Sequence, residues 1–181
     1  MLQIEVPIRP ELFDSKTQEF IPAPTQTLQL EHSLVSLSKW ESKWCKPFLT
    51  KKEKTIEETI DYIRCMTLSR NIRPDIYEKL TLDNLNAINA YINSPMTATY
   101  ISDYGPKKSN KEQVTSELIY YWMIALNIPF ECQKWHINRL LMLIRVCEAK
   151  NAPKQKRSQA EIMAERKALN ERRKRELNTR G

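Results

Sequence analysis

The chain has 181 residues, 41% hydrophobic and 28% charged, enough for one domain with an appendage and for a core that needs neither disulfides nor metal. Only two glycines, Gly105 and Gly181, stand against ten prolines, which disfavours an all-β fold and excludes the glycine-rich phosphate loops of dinucleotide-binding and P-loop proteins. The net charge of +7 is unevenly placed: residues 154–181 hold ten Lys or Arg and four Glu, whereas residues 1–153 hold 19 basic and 18 acidic residues. The body is therefore near neutral and the basic character belongs to the tail.

In chain order, Leu2, Ile4, Val6 and Ile8 alternate with other residues, the period of a strand with one buried face. Pro7 and Pro10 confine that strand to a sheet edge. TLQLE, with Leu28 and Leu30 on one side, predicts a second strand after the PAP stretch at 22–24. From Ser33 the period becomes helical: Leu34, Leu37, Trp40 and Trp44 share a face, Ser33 caps the start and Pro47 stops the run. On this reading Lys39 and Lys43 point to water. Thr55 and Glu58 form a capping box that opens a helix with Ile56, Ile60, Ile63 and Met66 on one face. The acids of KTIEETIDY read as helix-start charges and a solvated face.

Pro74 sits at the first helical position of RPDIYEKL, and TLDNLNAINAYIN places Leu82, Leu85, Ile88 and Ile92 in register. Residues 94–109 read as a loop or short extended segment. Two strong helices follow: NKEQVTSELIYYWMIALN, apolar on most sides in its second half and so expected to be central, and ECQKWHINRLLMLIRVCEAK. Pro129 separates them, and their short connection predicts an antiparallel pair. The last segment, SQAEIMAERKALNERRKREL, opens with a second capping box, Ser158 and Glu161, and is rich in helix formers. Its large apolar residues are only Ile162, Met163, Leu169 and Leu177, so this helix has little to bury. The expected fold is mainly α with a small N-terminal β element over 1–31, a compact helical body over 32–153, and an extended charged C-terminal helix over 154–181.

Metal and catalytic constellations are sparse. Cys132 and His136, four apart on the expected helix, share a face, but zinc needs further ligands and His32 is the only other histidine. Cys45, Cys65, Cys132 and Cys147 contain no C-x-x-C pair, and free thiols in a reducing cytosol are expected. Residues 1–10 are too short and polar for a secretory signal, and LIYYWMIAL reaches about half of the ~20 residues that cross a bilayer. We expect no enzyme, cofactor or membrane span. The tail offers Arg166, Lys167, Arg172, Arg173, Lys174 and Arg175 as a cationic face, with no aromatic residue after Lys154 for base stacking. A protein partner is therefore favoured over nucleic acid. Trp40, Trp44 and Trp135 read first as core and second as interface anchors.

LEHSLVSLSKWESKWCKPFLTKKEKTIEETIDYIRCMT, AINAYINSPMTAT and ELIYYWMIALNIPFECQKWHINRLLMLIRVCEAKNAPKQK together resemble a family of tailed-bacteriophage proteins from the virion structural and tail gene cluster, commonly labelled tail assembly chaperones. The resemblance runs from about Leu28 to the end and brings no catalytic motif. It implies a non-enzymatic protein of the host cytoplasm that binds the long helical tape measure protein during tail assembly. Other tail or connector proteins are further partners on this resemblance, and a homo-oligomer is compatible with it. A component retained in the virion, at the neck or tail, is the alternative it implies.

Overall fold

The computed structural model describes residues 1–9, 12–14, 18–21, 23–49, 53–100, 113–151 and 159–177. Residues 1–149 form one compact unit and residues 150–181 a second. The unit over 1–149 is mainly helical, with a small antiparallel β layer at its N-terminal end.

Strand β1 (Leu2–Pro7) pairs antiparallel with β4 (Thr25–Leu30), in a register that sets Ile4 against Leu28 and Pro7 against Thr25. The alternation does what a period of two requires: Ile4, Val6, Leu28 and Leu30 are all buried on one face. The short strands β2 (Leu12–Asp14) and β3 (Glu19–Ile21) form a second antiparallel ladder within the connection. Neither edge of the β1–β4 pair is left bare. Leu68 N donates to Gln29 O, Glu31 N to Met66 O and Gln29 N to the Ser69 hydroxyl, so the segment after the second helix completes the β4 edge. On the β1 edge, Lys79 Nζ donates to Ile8 O and Asn84 Nδ2 to Glu5 O.

Helix α1 (Leu34–Trp44) begins at Ser33, whose side chain and that of Ser36 complete a capping box. It ends with Cys45 in the left-handed region at φ 50°, followed by Pro47. Helix α2 (Ile56–Met66) opens with the expected Thr55–Glu58 box. A 3-10 helix (Pro74–Lys79) with proline in its first turn leads to α3 (Leu82–Asn93), capped by Thr81. Helix α4 (Ser116–Ala125) is capped by Thr115, a second 3-10 helix spans Phe130–Lys134, and α5 covers Ile137–Asn151. With glycine nearly absent, Cys45, Asn71 and Asn127 are among the residues that take positive φ, two of them asparagines, which tolerate it best.

The core joins both layers. Leu28 and Leu30 meet Leu34, Leu37 and Trp40 of α1, Ile63 and Met66 of α2, Ile119 and Met123 of α4, and Ile137 and Leu140 of α5. The β element over 1–31 is thus a layer of the 1–149 unit that shares its core.

Four expectations are corrected. Ile56 and Leu82 leave the stripes assigned to them and stand largely exposed, because each is the first residue of its helix, before the turn that packs. Helix α4 is buried only through Ser116, Ile119 and Met123, while Tyr121 and Ile124 face solvent; consecutive aromatics cannot all point inward from a helix. Helices α4 and α5 do not form the expected antiparallel pair: α4 packs on α1, and the 3-10 helix Phe130–Lys134, which also meets α1, takes up the chain between them. Cys132 and His136 do not share a helix, since Cys132 lies in that 3-10 turn and His136 precedes α5. The box at Ser158 and the segment 101–109 lie outside the described residues.

The second unit contains α6 (Gln159–Leu177), whose described side chains are all exposed. Removing residues 158–181 is therefore expected to leave the cooperative melt of the 1–149 unit within about 2 °C of the full chain, a small shift for a domain of this size. Circular dichroism through the melt checks this, and a lost transition would make α6 part of the core.

Candidate functional site

The tryptophans of α1 are structural. Trp40 is 1% exposed, and its indole N–H donates to Glu58 O at 2.8 Å. It stacks on Trp44 and meets Phe48 edge-on, with ring centroids 6.1 and 5.1 Å apart. Trp40 has no surface to offer a partner, so its reading as an interface anchor fails. Trp44 is partly buried and its indole N–H donates to Asp61 Oδ2 at 2.9 Å. Trp135 is also partly buried, under the Arg139 guanidinium at 4.2 Å from the ring centroid.

The acids of α2 overturn their reading as a solvated face. Glu58 and Asp61 are both buried. Asp61 accepts from Lys43 Nζ as well as from Trp44, and Glu58 accepts from Lys46 Nζ, so Lys43 is tied to α2. Burial pushes the Asp61 carboxyl upward, but the Lys43 ammonium and the Trp44 indole outweigh it and hold the group low. The Lys46 ammonium and the Thr55 N–H likewise hold Glu58 low. Each cation stays half in water while its acid is inside. These pairs align α1 with α2.

Glu41, also buried, accepts from Phe48 N and from Ser116 N, both at 2.7 Å. One carboxylate thus caps the N-terminus of α4 and fixes the turn that carries Phe48. Phe48 in turn stacks on Tyr62, with centroids 3.8 Å apart.

The histidines form a second buried group. His32 and His136 lie edge to face with centroids 5.0 Å apart. The Tyr62 hydroxyl and His32 Nδ1 share a hydrogen bond. His136 Nε2 donates to Tyr91 O at 3.0 Å, while its Nδ1 accepts from Asn138 N. Ile137 N donates to His32 O at 2.7 Å, which sews the start of α5 to the end of β4. Burial, and then the neighbouring His136, lowers His32 to about 3; burial also lowers His136. Burial raises the Cys132 thiol, so it stays protonated, and both ring nitrogens of His136 are engaged; they do not make a nucleophile and its base. All four cysteines are free thiols. Among the described residues, no group of three or more His, Cys, Asp or Glu is placed to hold a metal ion.

What remains open to a partner lies on the surface. A shallow cavity of about 220 Å³ lies between Pro95, Thr97 and the Asn138, Leu141, Met142 and Arg145 side of α5, below the usual size of a small-molecule site. Tyr121 and Ile124, three residues apart on α4, are exposed apolar side chains, and so is Phe130. Phe130 is tied to α4 through Tyr120, whose ring centroid is 6.4 Å away. The consecutive aromatics of IYYWM carry the signal for this exposure, since a helix can bury only some of them.

Arg166, Lys167, Arg172, Arg173 and Lys174 are exposed on α6, as expected. Arg175 lies on the same helix, with its side chain outside the described residues. Met163, Leu169 and Leu177 are 70%, 47% and 70% exposed. No helix among the described residues is long and apolar enough to cross a membrane. We found no family model, no curated protein and no solved structure that matches this chain.

Proposed function

We propose that this chain is a non-enzymatic assembly factor of tailed bacteriophages, which binds and solubilises the long helical tape measure protein in the host cytoplasm while the tail is built. The observation that carries the reading is α6: a helix of 19 residues whose described side chains all stand in solvent, Leu169 and Leu177 included. A helix gains most of its stability in proteins from packing one face, and such a face without cover fits a partner helix. The exposed pair Tyr121 and Ile124 on α4 adds a second apolar surface. The polar groups of the interior, by contrast, are spent on holding helices together.

Co-expression with the tape measure protein tests the proposal. The chain should keep that protein soluble, copurify with it, and be missing from purified particles by mass spectrometry. A fixed copy number in particles would instead make it a virion component of the neck or tail. Failure to change the solubility of the tape measure protein would remove the chaperone reading.

A further inference from the structure

We infer that the cavity between Pro95 and α5 receives the C-terminal residue of a partner polypeptide, an apolar residue whose free carboxylate is taken by Arg145. The site lies wholly within the 1–149 unit, whereas the tape measure reading rests chiefly on α6.

Both walls of the cavity are fixed by the fold. Asn138, in the first turn of α5, spends both amide hydrogens on the segment that follows α3: its Nδ2 donates to Ile92 O at 3.1 Å and to Ser94 O at 2.8 Å. Met96 then takes the left-handed region at φ 49°, between the lining residues Pro95 and Thr97. On the helix side Asn138, Leu141, Met142 and Arg145 stand at i, i+3, i+4 and i+7, so a single face of α5 supplies the other wall.

The polar groups of this lining are few and incompletely matched. With its two amide hydrogens committed, Asn138 offers Oδ1 as an acceptor, and no group among the described residues donates to it. The Thr97 hydroxyl oxygen accepts from Thr99 N at 3.1 Å. Arg145 is the one charged residue of the lining. It is exposed, and among the described residues it joins no ion pair, not even with Glu148 three positions on. Pro95, Leu141 and Met142 make the rest of the lining apolar. At about 220 Å³ the space suits one residue better than a drug-sized ligand.

That combination selects among occupants. A neutral apolar side chain would cover Leu141 and Met142 but take Arg145 and the Asn138 oxygen out of water unpaired. A bare phosphate would satisfy Arg145 and leave the apolar lining uncovered. An internal glutamate brings a carboxylate with no apolar group on the same residue. A chain-terminal apolar residue carries everything at once. Its carboxylate can take the guanidinium through two parallel hydrogen bonds, its side chain covers the apolar lining, and its own N–H is a donor for Asn138 Oδ1.

The test uses the full chain and a fluorescein-labelled hexapeptide that ends in leucine with a free carboxylate. The same peptide amidated at its end is the comparison. Anisotropy titrations should show the acid binding at least about tenfold tighter than the amide, as a lost charge-assisted pair implies. Backbone resonances of Thr97, Asn138 and Arg145 should shift on adding the acid. Arg145→Gln, at an exposed position, should keep the melt of the parent and bring the acid down to the level of the amide. Isocaproate, which has the carboxylate and the branched chain without the N–H, should compete about fivefold or more weakly than unlabelled peptide. Equal binding of acid and amide would overturn the inference, as would no binding up to about 1 mM. So would an Arg145→Gln variant that keeps the preference. Isocaproate or inorganic phosphate as potent as the peptide would make this a site for a small acid or a bare anion, and would overturn the polypeptide as its occupant.

Discussion

Glu41→Leu is expected to destabilise the 1–149 unit by about 3–5 kcal/mol, through the loss of two charge-assisted hydrogen bonds and the stranding of two buried donors. The carboxylate of Glu41 accepts from Phe48 N and from Ser116 N, and both bonds are 2.7 Å long. Leucine fills much of the same volume, so packing loss stays small and the polar term is read almost alone. Three elements depend on that term. Helix α4 loses the anion at its N-terminus, α1 loses its tie to α4, and the turn after α1 loses the bond that seats Phe48 between Trp40 and Tyr62. Glu41→Gln keeps one acceptor oxygen and is expected to cost about half as much. Chemical denaturation with near-ultraviolet circular dichroism gives the result; a Leu variant within about 1 kcal/mol of the parent would show that the capping carboxylate is not what holds α4 in place.

The sequence makes the caps and the strand faces plain because both are local. Ser33 and the Thr55–Glu58 pair sit within three residues of the groups they satisfy, and Ile4, Val6, Leu28 and Leu30 announce their burial by alternation. Glu41, Glu58 and Asp61 are a different case. A carboxylate goes inside only when donors from another element meet it. Those donors, Ser116 N for Glu41, Lys46 for Glu58 and Lys43 with Trp44 for Asp61, are 12 to 75 residues away in the chain. Charge alone points all three acids to water. The same limit hid the break of the last body helix, because the 3-10 turn at Phe130–Lys134 arises where the chain must bring His136 against Ser33 and Ile137 against His32. For the candidate docking surface the balance is reversed. The cations of α6 are legible by composition, and its run of strong helix formers marks the helix without help from distant residues. The exposure of Tyr121 and Ile124 needed the fold to show which side of α4 meets α1.

Acidification below about pH 6.5 should destabilise the fold before its carboxylates titrate, with His32 a main cause. In the folded state burial and the adjacent His136 ring lower His32 to about 3, whereas an unfolded histidine titrates near its ordinary value of 6.5. The unfolded chain therefore binds more protons between those two values, and stability falls as pH drops through that window; above about pH 6.5 both states are neutral and the loss vanishes. Between about pH 6.5 and 4.5, His32 alone is expected to remove about 2–3 kcal/mol, and His136, lowered in the same direction, adds to it. The surroundings explain why the fold does not simply accept the proton. His32 faces Phe48, Tyr62 and His136, and its Nδ1 is engaged by the Tyr62 hydroxyl. His136 has Tyr91 O on one nitrogen and an N–H donor, from Asn138, on the other, so a second ring proton would point at that donor. Glu31 favours charge on His136, but its Oε1 already accepts from the Tyr91 hydroxyl at 2.7 Å and its Oε2 lies 2.9 Å from the amino group of Met1. Asparagine at position 32 reproduces the polar atom at Nδ1 and cannot titrate. His32→Asn should therefore be less stable than the parent at pH 7, by about 1–3 kcal/mol for the lost ring packing, yet markedly flatter between about pH 6.5 and 4.5. Urea denaturation at half-unit pH steps, run on both proteins, compares the two slopes. Parallel curves would place the acid sensitivity outside the histidine pair, and a parent that stays equally stable down to about pH 4.5 would mean that these rings take up protons without opening the junction between β4, α1 and α5.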